Sequence, residues 1–379
     1  MINSAELRVG ERVRVRSKDE ILATLDKNGQ LDGLPFMPEM LAFCGREFQV
    51  FKRAHKTCDP PNGLDGRRML HTVHLEGVRC DGNAHDGCQA RCLIFWKESW
   101  LERIADERAS TKSNFVRKGR ESRTSSDATE HDVTAATRRA TPQTDSRDPV
   151  WVCQSTQIAQ ATQLLHWWNL RQYIEDYTSG NVRLSQLLAA LAFFLYAHLV
   201  SAGIGLGSAL RWAYDRIQGM RGGTPYPLRM GKVPPGVRTP SAKLDVQPGE
   251  LVKIRSYEEI LATVDETGLN RGMSFDPEMV PYCGGTYRVL DRVNKLINER
   301  TGKMQHLRNG CVMLENVVCL ACYSKYRRFC PRSIYPYWRE VWLERVEPGI
   351  SSLEAQRREF IPNTTVPRNS LALRSGTSP

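Results

Sequence analysis

The chain has 379 residues, 41% of them hydrophobic and 25% charged, the proportions of an ordinary globular protein with room for two or three domains. Its opening, MINSAELRVGERV, has neither an apolar run nor a cleavage signature, so no secretory signal is expected. The eleven cysteines then point to a reducing, cytoplasmic compartment, where thiols bind metals or pack in cores. Of the net charge of +11, most sits in residues 105–242, which hold 17 Lys and Arg against 11 Asp and Glu. That placement reads as solvated connector charge, because a nucleic-acid module carries its own basic stripe.

The first element is an alternating run, Arg12-Val13-Arg14-Val15-Arg16, expected to be a half-buried strand. Ser17 and Glu20 form a Ser-x-x-Glu capping box for a short helix over 18–25. A Gly/Pro-rich loop follows, with Phe36 and Met40 available to the core. Strands are expected over 47–52 and 72–79, and a closing strand over 96–104 whose Trp96 and Trp100 face inward.

The same elements then recur. Gly10–Arg53 aligns without a gap on Gly249–Arg292, with 21 of 44 positions identical. By Trp100-Leu101-Glu102-Arg103 on Trp342-Leu343-Glu344-Arg345 the offset has grown from 239 to 242, so the second copy has three extra residues near its cysteines. A duplication of this kind fixes the architecture first. The Gly-x-x-Val-x-Val opening resembles KOW-type and related SH3-like small barrels. The Pro-Glu-Met…Cys-Gly run resembles SH3-like repeats of some ubiquitin-ligase proteins, and the tandem layout is similar to that of uncharacterised bacterial proteins. The resemblance implies an α+β, mainly β chain in which two SH3-like barrels, 1–104 and 243–347, flank a helical middle over 151–242. A Ser/Thr/Arg/Asp-rich linker over 105–150 and the tail 348–379 are expected to be disordered.

The cysteines carry the strongest chemical signal. Cys44/Cys283, Cys80/Cys319 and Cys88/Cys330 align, whereas Cys58 and Cys92 fall opposite Ile297 and Ile334. Tetrahedral Zn2+ takes four thiolate or imidazole ligands on converging turns. The expected sets are Cys58, Cys80, Cys88 and Cys92 in the first copy, with His71 or His85 as substitutes, and Cys311, Cys319, Cys322 and Cys330 in the second. A structural zinc is expected in at least one copy; buried thiols and an iron–sulfur role are the alternatives. Cys44 and Cys283, between aromatics, are assigned to core packing.

Glu39 and Glu278 are read as loop carboxylates paired with Arg53/Arg292 or Arg16/Arg255. One carboxylate per copy is a poor general acid–base device. No phosphate loop, Gly-x-Ser-x-Gly, His-Glu-x-x-His or dinucleotide fingerprint occurs, and no small-molecule substrate is evident. In RRFCPRSIYPYWREVWLER, the side chains of Arg327, Arg328, Arg332, Tyr335 and Tyr337 are the candidate contacts for a partner.

In the middle, Ile158, Ala161, Leu164, Leu165, Trp168 and Tyr173 fall on one helical face. Residues 184–210 then contain no Asp, Glu, Lys or Arg over 27 positions, and Arg211, Arg216, Arg221, Arg229, Lys232 and Arg238 follow. The first expectation for 184–210 is a buried helix of a soluble protein. A helix lying in a membrane interface and one spanning it are the alternatives, the first because a single crossing would separate the two copies. The chain is therefore expected to be a non-enzymatic, zinc-stabilised adaptor for a protein partner. Nucleic-acid binding and membrane association through 184–210 are the other functional readings.

Overall fold

Alternation decides the first strand: Val13 and Val15 are buried while Arg12 and Arg14 face solvent. The computed structural model describes residues 6–59, 66–104, 128–139, 149–203, 205–324 and 327–346. In the first copy the order is β1 (Arg12–Val15), α1 (Lys18–Leu22), the hairpin β2 (Gln30–Leu31) and β3 (Leu34–Pro35), β4 (Glu47–Arg53), β5 (Lys56–Cys58), β6 (Gly66–Arg68), β7 (Thr72–Arg79), β8 (Leu93–Lys97) and β9 (Leu101–Arg103). The Ser17 hydroxyl and Glu20 carboxylate cap α1 reciprocally, as expected, and Ser256 and Glu259 do the same in the second copy.

The middle contributes α2 (Glu130–Ala135), β10 (Arg138–Arg139), β11 (Val150–Trp151), α3 (Ile158–Ala161), β12 (Gln163–Leu165), α4 (Arg171–Thr178), α5 (Leu184–Ser201) and α6 (Gly207–Arg221). The second copy has β13 (Leu251–Ile254), α7 (Tyr257–Leu261), β14 (Leu269–Asn270), β15 (Met273–Ser274), β16 (Thr286–Ile297), β17 (Met304–Leu314), β18 (Trp338–Arg339) and β19 (Leu343–Arg345). The architecture is mixed helix and strand, with curled antiparallel sheets and a half-barrel.

The two five-stranded sheets have the same order, β8-β7-β4-β1-β9 and β18-β17-β16-β13-β19. Each surrounds a core holding two fully buried tryptophans, Trp96 and Trp100 or Trp338 and Trp342. Phe36 and Phe275 meet them edge-on, at centroid distances of 5.3–6.4 Å. The unbroken β16 corresponds to β4 plus β5. In the first copy Ala54 and His55 interrupt that strand, and β5 pairs with β6, whose other edge takes β12.

Three expectations are corrected. Part of the 105–150 linker is folded: Thr129 and Asp132 form a capping box for α2, and Val133 is buried in the first core. The rest of that linker (105–127 and 140–148) and the tail lie outside the described residues. Residues 158–173 do not form one helix, because Gln163–Leu165 is drawn off as a strand on β6. Finally, 184–210 is not a buried helix. Its helical parts are α5, which buries only Ala190 and Phe193, and the first turn of α6, which buries none.

The middle is seated on the first copy by a buried ionic group. Asp176 on α4 is fully buried; its Oδ2 lies 2.5 Å from Lys56 Nζ and its Oδ1 3.1 Å from His55 Nε2. Asn181 adds a two-way bridge to the Arg53 backbone, accepting from its N–H at 2.8 Å and donating to its carbonyl at 2.8 Å.

Candidate functional site

Each copy carries a loop rich in cysteine between its third strand and its closing tryptophans. The loops are closed alike: Cys80 N–H donates to Cys92 O at 2.9 Å, and Cys319 N–H to Ile334 O at 2.7 Å. Gly82 makes the first loop possible. Its φ is +74°, and a Cβ there would meet the Cys88 carbonyl oxygen at 2.0 Å.

A glutamate braces each loop, in place of the arginine pairing expected. Glu278, buried, accepts the N–H groups of Cys322 (2.8 Å), Tyr323 (2.7 Å) and Ser324 (2.9 Å). Burial raises its pKa against the pull of those bonds. Glu39 instead accepts from Ala84 N–H at 3.1 Å and contacts His85 Nδ1 at 2.6 Å. The other ring nitrogen of His85 faces Val152 O at 3.0 Å, so both nitrogens meet acceptors, which suits the imidazolium. Burial opposes this pair, but the hydrogen bond and mutual charge prevail: Glu39 is lowered and His85 raised. With both nitrogens engaged, His85 has no lone pair for a metal.

The loops meet across the duplication. Cys58 N–H donates to Cys330 Sγ at 3.2 Å, and Ile297 N–H donates to Cys88 Sγ at 3.3 Å. Cys58 and Ile297 are equivalent positions, as are Cys330 and Cys88, so the end of β5 or β16 from each copy enters the cysteine loop of the other. This is the reciprocal pattern of a two-fold interface, formed within one chain. Arg91 pairs with Asp291 at 2.8 Å, and Gln89 Nε2 donates to Arg292 O at 2.9 Å across the same junction.

The expected ligand sets are consequently rearranged. Cys58 leaves the first set and is buried with Cys330, with Cys319 packed against them. Cys311 leaves the second set: it lies in a separate cluster with Val293 and Met313, its thiol 3.5 Å from Val293 O. Cys80, Cys88 and Cys92 line a cavity of about 40 Å3 together with Cys153, from the middle segment. Cys153 stands alone in a Trp-Val-Cys-Gln run, and nothing in its neighbourhood in sequence marks it as part of this group. Among the described residues no three His, Cys, Asp or Glu converge as metal ligands. All eleven cysteines are free thiols.

The environments of the thiols differ. Cys58 donates to Cys330 and is held far up; burial raises Cys330 too, but that bond and the nearby Arg332 bring it down. Burial pushes Cys153 up to about 12 and also raises Cys80 and Cys92. Cys44 and Cys283 pack against the two cores, as expected.

The five candidate partner contacts are engaged inside the chain. Arg332 is buried, paired with Glu299 at 2.7 Å and donating to Cys58 O at 3.0 Å and Ser155 Oγ at 3.1 Å. Arg327 pairs with Asp276. Tyr335 lies under Arg79 at 4.3 Å, and Tyr337 is half-buried beside Cys311. Arg328 covers the Phe194 ring at 4.8 Å, which seats α5 on the second cysteine loop. Phe193 meets Tyr323 at 5.1 Å on the same seat, where Phe329 packs with Val182 and Ala190.

The exposed apolar surface lies on the helices. Leu184, Leu188, Leu191, Leu195 and Leu199 recur every three or four residues and are each 52–57% exposed, forming one stripe along α5. Trp168, Leu170, Ile174 and Tyr177 around α4, and Trp212, Ile217 and Met220 on α6, are exposed too. Among the described residues α5 is the one helix long and apolar enough to cross a membrane, with a mean hydropathy of 1.7. No known protein family, characterised protein or solved structure matches the chain.

Proposed function

We propose that the protein is a non-enzymatic adaptor that works on an anionic membrane surface, with α5 lying in the interface and the two copies, read as SH3-like binding modules, held in the cytoplasm. The observation that carries this reading is the leucine stripe of α5. Five half-exposed leucines on one face cost a soluble chain solvation and aggregation resistance, and a lipid interface removes that cost. The charge fits: Arg216, Arg221 and Arg238 are exposed in the segment that follows α5, and each basic residue near an anionic leaflet contributes about 1 kcal/mol.

The fold argues for lying on the membrane over spanning it. The helix leads from one copy toward the other, and the copies touch through Arg91–Asp291 and Cys58–Cys330. A single crossing would put them on opposite faces and break those contacts.

Flotation of the full chain with vesicles tests the reading. Binding to phosphatidylglycerol/phosphatidylcholine vesicles and weaker binding to phosphatidylcholine alone are expected. Burying the exposed half of a leucine contributes about 1 kcal/mol, so Leu188→Ser, Leu191→Ser and Leu195→Ser together should weaken binding roughly 100-fold. A wild-type chain that stays in the soluble fraction with both vesicles refutes it.

A further inference from the structure

Cys44, Cys283 and Cys311 pack in apolar clusters away from the loops, Cys80, Cys88, Cys92 and Cys153 line one cavity at the edge of the first core, and Cys58, Cys319 and Cys330 share a cluster at the second loop, which also carries Cys322. We propose two zinc sites: Cys80, Cys88 and Cys92 with Cys153 of the middle segment around the first loop, and Cys319, Cys322 and Cys330 with Cys58 of the first copy around the second. The inference is independent of the membrane reading.

The duplication itself argues for these sets. Cys80/Cys319 and Cys88/Cys330 are common to both loops, which gives each two thiols. Each loop then lacks one thiol that the other has. At the first loop, the position reaching in from the opposite copy is Ile297, which lines the cavity where the second loop has Cys58; Cys153 lines the same cavity. At the second loop, Ile334 stands where the first has Cys92, and packs against the Cys58–Cys330 cluster; Cys322, two residues beyond Leu320 in a Cys-x-x-Cys turn, makes up the number. Two losses are matched by two gains, and both sets come to four. Four thiolates are the closed, tetrahedral set of structural zinc.

A Zn2+ with four thiolates carries two net negative charges. The thiols lie among charges of both signs: Lys52, Arg327 and Arg332 act on those of the second set, while Glu278 and Asp276 act on Cys319, Glu299 on Cys92 and Glu39 on Cys80. Glu278 accepts the N–H of Cys322, the last residue of the Cys-x-x-Cys turn, and those of Tyr323 and Ser324 just beyond it, the outer support that metal turns need. The first four thiols line one cavity, and of the second set Cys58, Cys319 and Cys330 share one cluster, without converging on a point. A change of χ1 rotamer moves a cysteine sulfur by about 3 Å.

The consequence is mechanical. The second site joins β5 of the first copy to the loop on which α5 is seated, and the first site joins the first copy to the middle segment. Metal then makes one body of three parts of the chain.

Elemental mass spectrometry on the full chain, purified without chelator, tests this. Two zinc per chain are expected. Cys58→Ser and Cys153→Ser should each leave one, the double variant none, and Cys311→Ser two. Co2+ replacement in the unmodified chain should saturate at two equivalents with the visible bands of tetrahedral thiolate cobalt, a readout that needs no variant to fold. Any stoichiometry other than two in the unmodified chain overturns the proposal. So does loss of metal from Cys311→Ser, or a Cys58→Ser, Cys153→Ser double variant that loses no more than either single.

Discussion

Asp176→Ala removes the carboxylate that seats the middle on the first copy. Asp176 is fully buried, and Lys56 and His55 are 4% and 3% exposed, so water cannot replace the lost partner. The Lys56 ammonium, 2.5 Å from Asp176, would keep only a 3.5 Å contact to Gln172 Oε1 and the faces of Tyr173 and Phe329 at 5.2 and 5.5 Å. Leaving such a charge buried without its partner costs about 3–5 kcal/mol. Replacing both groups by apolar ones, Lys56→Met with Asp176→Leu, removes the charge as well as its partner and should recover most of that loss. Urea unfolding of the full chain, with Asp176→Ala and with the cycle of Asp176→Leu, Lys56→Met and their double, measures the loss and the coupling. The cycle should return about 2–4 kcal/mol between the positions. An Asp176→Ala loss below about 1 kcal/mol, or a double variant as unstable as the sum of the singles, would refute the assignment of this group as a load on α4 docking.

Glu278→Gln sets an amide N–H2 against one of the three backbone N–H donors, and should cost about 2 kcal/mol in urea unfolding. The Leu188, Leu191 and Leu195 serine variant should cost about 1–3 kcal/mol, the half-buried part of three side chains plus helix propensity; a larger loss would mean that the stripe itself packs against something in the isolated protein. The Glu39–His85 pair gives a pH window. Glu39 is depressed below its ordinary 4.5, so its contribution is present above that pH and lost on acidification through the depressed value. His85 is raised above its ordinary 6.5, so its contribution is complete below that pH and lost as the pH rises through the raised value. Relative to a Glu39→Gln, His85→Gln variant, the unmodified chain should gain most between about pH 4.5 and 6.5 and lose that advantage on both sides.

What could be read in the sequence was local or repeated. The Ser17–Glu20 and Ser256–Glu259 boxes need four residues each, and the buried tryptophan pairs stand at equal places in both copies. What could not be read depends on contacts between distant segments. Cys58 is close in sequence to Cys80 and Cys88, yet β5 carries it into the other copy's loop, 272 residues away at Cys330. Cys153 has no cysteine neighbour in sequence and is defined only by the cavity it shares. Helix α2 escapes because its surroundings are polar, and one buried residue, Val133, is what fixes it to the first core. Residues 184–210 were ambiguous for a different reason: an uncharged run has the same composition whether protein or lipid covers it. The exposure of the leucine stripe shows that this chain's own core does not cover it.

The most direct measurement is hydrogen exchange by mass spectrometry on the full chain, with and without phosphatidylglycerol/phosphatidylcholine vesicles. Lying in the interface should slow exchange in peptides covering 184–221 and leave the strands of both sheets unchanged. Unchanged exchange across 184–221 with vesicles bound, or protection centred on the sheets, would contradict the account.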